Sequence, residues 1–114
     1  MKNHRKVIIG IVVLLMTGTI HATFQNGNKL YGFYQDYKKE SGSFNAGVYG
    51  GYVIGVADAF DDVTFSIPSY ATQGQILDVV GKYLENHPEV RHNSAFIIVS
   101  DALAKVFPLK NPNN

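Results

Sequence analysis

After residue 22, the candidates for chemistry are the two histidines His87 and His92 and the one carboxylate cluster, Asp58, Asp61 and Asp62. A carboxylate beside an imidazole is a general acid–base set, and Asp58 with His87 or His92 is the pairing that would serve a small hydrolase. The two histidines stand five residues apart with Pro88 between them, a spacing that matches no common metal site. Structural caps or surface positions account for them better. The aspartates lack the alternating Asp/Asn pattern and the closing Glu of a calcium loop, so a solvated helix end explains them without a ligand. As an acidic rim they could also meet a basic groove on a partner. The chain contains no cysteine, which excludes a thiol nucleophile. Ser41, Ser43, Ser66, Ser69, Ser94 and Ser100 occur in no nucleophile-elbow context, and Ser43 and Ser94 suit helix N-caps. The residues thus predict no catalytic group, no metal and no cofactor, and they point to a protein that binds.

Four amphipathic segments must carry these residues. In residues 28–37, Leu30, Phe33, Tyr34 and Tyr37 recur at i, i+3, i+4 and i+7, one helical face, with capping residues at 26–28 before it. Residues 44–59 are apolar almost all round, which predicts a central buried helix. Gly47, Gly51, Gly55 and Ala59 recur every four residues there. Glycine costs about 1 kcal/mol per helical position, so the stripe predicts close packing against another helix of the bundle; a buried strand over 48–56 is the competing reading. Residues 61–71 read as a loop. Thr72 with Gln75 forms a capping box, and Ile76, Val79, Val80, Tyr83 and Leu84 give the clearest helical face in the chain. His87-Pro88 stops that helix. The last helix is expected from about Ser94 to Phe107, with Ala95, Ile98, Val99, Ala102, Leu103 and Val106 as its core face. Phe96 and Ile97 fall outside that stripe and suggest either a central helix or a second apolar surface for a partner. The fold class that follows is all-α, a compact bundle of four helices.

At 114 residues the chain is one domain at most. Its first residues are basic, an uncharged run covers residues 7–20, and Ala22 follows as a small residue suited to cleavage. That is the layout of a secretory signal peptide over residues 1–22, leaving a single helical domain over 23–114. The alternative is a membrane anchor, but the run is shorter than the roughly 20 residues that span a bilayer. Cleavage would remove Lys2, Arg5 and Lys6, leaving seven basic against nine acidic side chains, a net charge of −2. A mildly acidic chain gives no electrostatic reason to expect nucleic acid or anionic lipid as a partner. All 7 Tyr and all 7 Phe lie after the leader, and these large rigid side chains stand where small secreted domains often use disulfides.

The order of short motifs resembles one family, the immunity proteins against type VI secretion amidases (the Tai/Rap group). Gly27-Asn28-Lys29-Leu30 matches the family's opening helix, and Gly51, Tyr52, Gly55 and Asp58 match its central Gly-Tyr-x-x-Gly-x-x-Asp. Phe65-Ser66-Ile67-Pro68 stands at its apolar-Cys-x-Pro turn. Gln75-Ile76, then Tyr83-Leu84 through His87-Pro88, follow its next helix and that helix's end. His92 with Ala95, and Ala102-Leu103 with Phe107-Pro108, match the close of the pattern. The departure is cysteine: the positions where members usually carry it are Tyr34, Tyr49, Ser66 and Leu109 here.

The resemblance implies a periplasmic immunity protein that binds a peptidoglycan amidase effector and occludes its active-site groove. It also implies a homodimer, which would give Phe96 and Ile97 a purpose. Blocking a cleft needs a rigid protrusion, and the proline-stiffened loops at 61–70 and 85–93 are the candidates. The expected contacts are Asp61, Asp62, Phe65, Ile67 and Tyr70 in the first loop, and Glu85, Asn86, His87, Glu89, Arg91 and His92 in the second. Two other readings stand beside this one. A small periplasmic chaperone or stress protein would expose apolar surface on acidification, and a hydrolase would need Asp58 and a histidine together.

Overall fold

The computed structural model describes residues 24–111; the expected signal peptide at 1–22 lies outside them. Three of the four helices begin on a side-chain acceptor, while Ser94 at the start of the fourth makes no side-chain cap bond. Asn26 caps α1 (Gly27–Lys39), accepting the Lys29 N–H at 2.9 Å. Lys38 and Lys39 extend α1 two residues beyond the expected end, where cations complement the helix dipole. Ser43 caps α2 (Phe44–Phe60) through the Ala46 N–H at 3.1 Å. The Thr72–Gln75 capping box is reciprocal, at 3.2 Å and 2.9 Å, and opens α3 (Gln73–Asn86). After a short 3-10 turn at Pro88–Val90, Ser94 takes the N-cap position of α4 (Ala95–Val106). Four α-helices and no named strand make up the described residues, so the all-α bundle is the architecture observed.

The core is drawn from every helix: Leu30 and Tyr34 from α1; Tyr49, Val53 and Val56 from α2; Ile76, Val80 and Leu84 from α3; and Ile98, Val99 and Leu103 from α4. The Tyr34 and Tyr49 rings pack at 5.3 Å between centroids, tilted by 47°, and the Tyr49 hydroxyl donates to the Leu77 carbonyl at 2.6 Å. That bond satisfies the one polar atom of a side chain with no exposure. Burial, reinforced by Tyr34, Tyr37 and Asp78 nearby, pushes the Tyr49 phenol far above its ordinary pKa.

Three expectations are corrected. The stretch over 48–56 is helix rather than strand, but α2 is not buried all round. Its buried residues Ala46, Tyr49, Val53, Val56 and Ala57 share one face, while Gly47, Gly51 and Gly55 face outward with nothing within 4 Å of where a Cβ would stand. The stripe is therefore no packing seam within the chain. Close approach occurs instead at Gly81, where a Cβ would overlap the Tyr34 ring, and at Gly27, against Ile98 and the Arg91 backbone. Val106, expected in the core face of the last helix, is 51% exposed; the buried face of α4 ends at Leu103.

Candidate functional site

The first loop is a tight turn held mainly by its own backbone. The Asp62 N–H donates to the Phe65 carbonyl at 2.7 Å, and the N–H groups of Val63 and Thr64 donate to Phe60 O at 2.9 and 3.1 Å. Asp61 Oδ1 accepts the Ile67 N–H at 2.9 Å. To close this ring Asp62 adopts φ 61°, the one positive φ among the described non-glycine residues. Asp tolerates that region better than most side chains. The result is a knuckle whose crown, Asp61, Asp62, Val63 and Thr64, is exposed throughout. Phe65 beneath it is wholly buried, Ile67 is half-buried, and Tyr70 projects at 82% exposure. Phe65 is therefore support for the crown, and its side chain is not available as a contact. Val63, which the sequence reading passed over, is 61% exposed at the apex. A lone valine between an aspartate and a threonine carries no periodic signal that would mark it.

The second loop is largely committed to holding the fold. Arg91 Nε donates to Leu84 O at 2.7 Å, and another guanidinium nitrogen donates to Glu85 O at 3.0 Å. These are carbonyls that the end of α3 leaves without helical partners. The same guanidinium lies 3.7 Å above the Tyr31 ring. His87 stacks on Tyr83 at 4.1 Å, and its Nδ1–H donates to the Tyr83 carbonyl at 2.9 Å. Glu85 pairs with Lys38 at 3.6 Å. Glu85, Asn86, Glu89 and His92 are the exposed members of the expected set in this loop, and Glu85 is the one held in an ion pair. Residues 91–95 are also laced to the start of α1: Gly27 N–H to Asn93 O, Asn28 N–H to Arg91 O and Ala95 N–H to Gln25 O, at 2.9, 2.8 and 3.0 Å.

The two loops do not form one surface patch. Residues 85–93 lead into the first turn of α4, whereas the first loop is tied to its far end by the Ser66 N–H to Phe107 O bond of 3.0 Å. α4 has 12 residues, which sets these anchor points about 18 Å apart. Phe96 and Ile97, at 41% and 43% exposure, lie in the first turn of α4, with the half-buried Tyr52 against the Phe96 backbone.

No catalytic arrangement assembles among the described residues. His87 is bonded to Tyr83, and no hydrogen bond or ion pair joins Asp58 to either histidine. No group of three His, Asp or Glu there could hold a metal ion. A shallow depression of about 390 Å³ opens between Asp36, Lys39, Glu40, Ser43, Phe44 and Asn45, at the α1–α2 turn. Asn45 donates there to Asp36 at 2.9 Å. No described helix is long and apolar enough to cross a membrane.

The described residues form a helical bundle that presents a stiff polar knuckle. The model of the Rap1a immunity proteins matches residues 26–109, nearly everything described. The chain belongs to that family, and is an immunity protein of the kind that binds a cognate type VI secretion effector. Neither the curated proteins nor the solved structures yield a match. The four positions expected to stand where the family has cysteine fall into two neighbouring pairs: the Tyr34 and Tyr49 rings lie 5.3 Å apart at a tilt of 47°, and Ser66 Oγ accepts the N–H of Lys110, next to Leu109.

Proposed function

We propose that this chain acts in the periplasm, where it binds a peptidoglycan amidase delivered by a type VI secretion system and occludes its active-site groove. The observation that carries the reading is membership of the immunity family over residues 26–109. Inhibition of this kind needs no turnover, only a rigid surface that fills the cleft before substrate does. The knuckle at residues 61–64 suits that task. Its hydrogen bonds are made before binding, so little ordering cost remains, and Asp61 and Asp62 give it a negative crown for a basic rim. Ile67 and Tyr70 flank it, and Asn86, Glu89 and His92 supply a separate contact at the other end of α4. The chain assembles as a homodimer through the apolar first turn of α4, at Phe96 and Ile97.

The deciding experiment is to measure binding of the secreted protein to a panel of purified peptidoglycan amidases from its source organism and from competing bacteria. Nanomolar capture of one of them, with loss of its peptidoglycan cleavage, is the expected result. No binding across the panel, together with acid-induced exposure of apolar surface, would shift the reading to a periplasmic chaperone. Sedimentation of the wild type and of Phe96→Asp tests the dimer; a wild-type monomer at micromolar concentration would remove it.

A further inference from the structure

Ser66 is a buried polar residue, 5% exposed, with both its N–H and its hydroxyl oxygen engaged by the end of the chain. Its N–H donates to Phe107 O at 3.0 Å, and its Oγ accepts the N–H of Lys110 at 3.0 Å. Pro108, Leu109 and Lys110 are themselves exposed. Phe107, half-buried against the core, anchors the start of this C-terminal strap, and the two bonds to Ser66 tie it to the first loop where its later side chains are exposed. On the other side, Ser66 adjoins both residues that close the knuckle: Phe65, whose carbonyl takes the Asp62 N–H, and Ile67, whose N–H reaches Asp61. One serine thus joins the most exposed turn of the first loop to a strap forty-four residues further along the chain.

We infer that Ser66 is a positioning residue for the partner-binding turn, and that the strap at residues 107–110 holds Asp61, Asp62, Val63 and Thr64 in the shape a partner meets. The inference rests on the reading of that turn as a contact surface. Its physical basis is the backbone of Asp62, at φ 61°. A non-glycine residue in that region persists only where its surroundings over-determine it. The crown is exposed and supplies no packing of its own, so the surroundings are its backbone bonds, the buried Phe65 beneath and the strap behind Ser66. Without the strap the turn samples other shapes. A partner then meets the competent one only part of the time, and its apparent affinity falls by that fraction.

The test uses three variants of the secreted protein. Ser66→Ala removes the acceptor. Lys110→Pro removes the donor N–H and leaves Ser66 intact, whereas Lys110→Ala keeps the N–H and removes only the exposed charge. Hydrogen exchange is read at the amides of Asp62, Val63, Thr64 and Ile67, with Val53 and Leu103 as core controls. The expected result is roughly tenfold faster exchange in the turn for Ser66→Ala and Lys110→Pro, at unchanged core exchange, and wild-type behaviour for Lys110→Ala. The dissociation constant for the amidase that the wild type captures from the panel should rise by the same factor, which a merely structural loss of global stability would not produce. Unchanged turn exchange in Lys110→Pro, or equal acceleration in Lys110→Ala, overturns the inference. If Ser66→Ala fails to fold, Lys110→Pro decides alone. If the exchange pattern appears but no amidase binds the wild type, the strap stands and the immunity target is what fails.

Discussion

The ring of Tyr34 on α1 lies directly against the α-carbon of Gly81 on α3, in a space that admits no further atom. Tyr34 cannot swing aside, because Tyr31, Tyr37 and Tyr49 flank it at centroid distances of 6.5, 6.4 and 5.3 Å. Gly81→Ala adds about 1 kcal/mol of helix propensity but forces this cluster apart, at a cost of roughly 1–3 kcal/mol or more. A net destabilisation on the order of 1–2 kcal/mol is expected from urea unfolding. Gly51→Ala is the control: its Cβ meets nothing within 4 Å, so it should stabilise the monomer by up to about 1 kcal/mol. Equal effects at the two sites would contradict the packing described.

Arg91 matters to the fold before it matters to any partner. Its two bonds to the carbonyls of Leu84 and Glu85 terminate α3, and its stacking on Tyr31 ties that terminus to α1. Arg91→Ala should therefore lower stability by about 2 kcal/mol in denaturant unfolding. Arg91→Lys should recover little, since an ammonium cannot reproduce the planar fork or the stack. Full recovery by lysine would mean that charge alone holds the site.

These two cases show what the sequence could and could not convey. Caps are local, so Asn26, Ser43 and the Thr72–Gln75 box were legible from residue type and spacing of three, as was the buried face of α4 from Ala95 to Leu103. Long-range contacts left no such mark. The four-residue glycine period on α2 looks the same whether a helix or solvent lies opposite, and the seam it suggests is one that the fold does not make. Gly81 is an isolated glycine in a helix, and only the arrival of Tyr34 from another helix gives it a role. Phe65 follows four exposed residues, and its burial depends on where the turn closes. The separation of the two loops follows from the length of α4 between their anchors, a tertiary fact that loop composition cannot hold.

Asp62 separates the charge of the knuckle from its shape. Asn tolerates the left-handed region, so Asp62→Asn should leave stability within about 0.5 kcal/mol of wild type. It should slow association with the cognate amidase and flatten the salt dependence of that rate, the signature of a steering charge at the rim. Asp62→Val keeps neither property and should lose about 1–2 kcal/mol through backbone strain. Stopped-flow association at several salt concentrations distinguishes the effects. An unchanged rate for Asp62→Asn would place the contact elsewhere.

Tyr49 predicts alkaline instability. Burial holds its phenol protonated well above the ordinary tyrosine range, with Tyr34, Tyr37 and Asp78 adding to the effect. An acid whose folded-state pKa is raised binds its proton more tightly in the folded chain. Its contribution is thus fully present below the unfolded value of about 10 and is lost as pH climbs from there toward the folded one. Tyr34, Tyr52 and Tyr83 are raised in the same direction, burial being the first cause in each. Unfolding free energy should therefore hold steady through neutral pH and fall between about pH 10 and about pH 12. Over the same range tyrosinate absorbance should lag in the folded chain and appear with the unfolding transition. Tyr49→Phe loses the bond to Leu77 O, costing about 1 kcal/mol at neutral pH, but it also removes the titrating group and should flatten the alkaline decline. If its decline is as steep as that of the wild type, the pH dependence belongs to the other buried tyrosines.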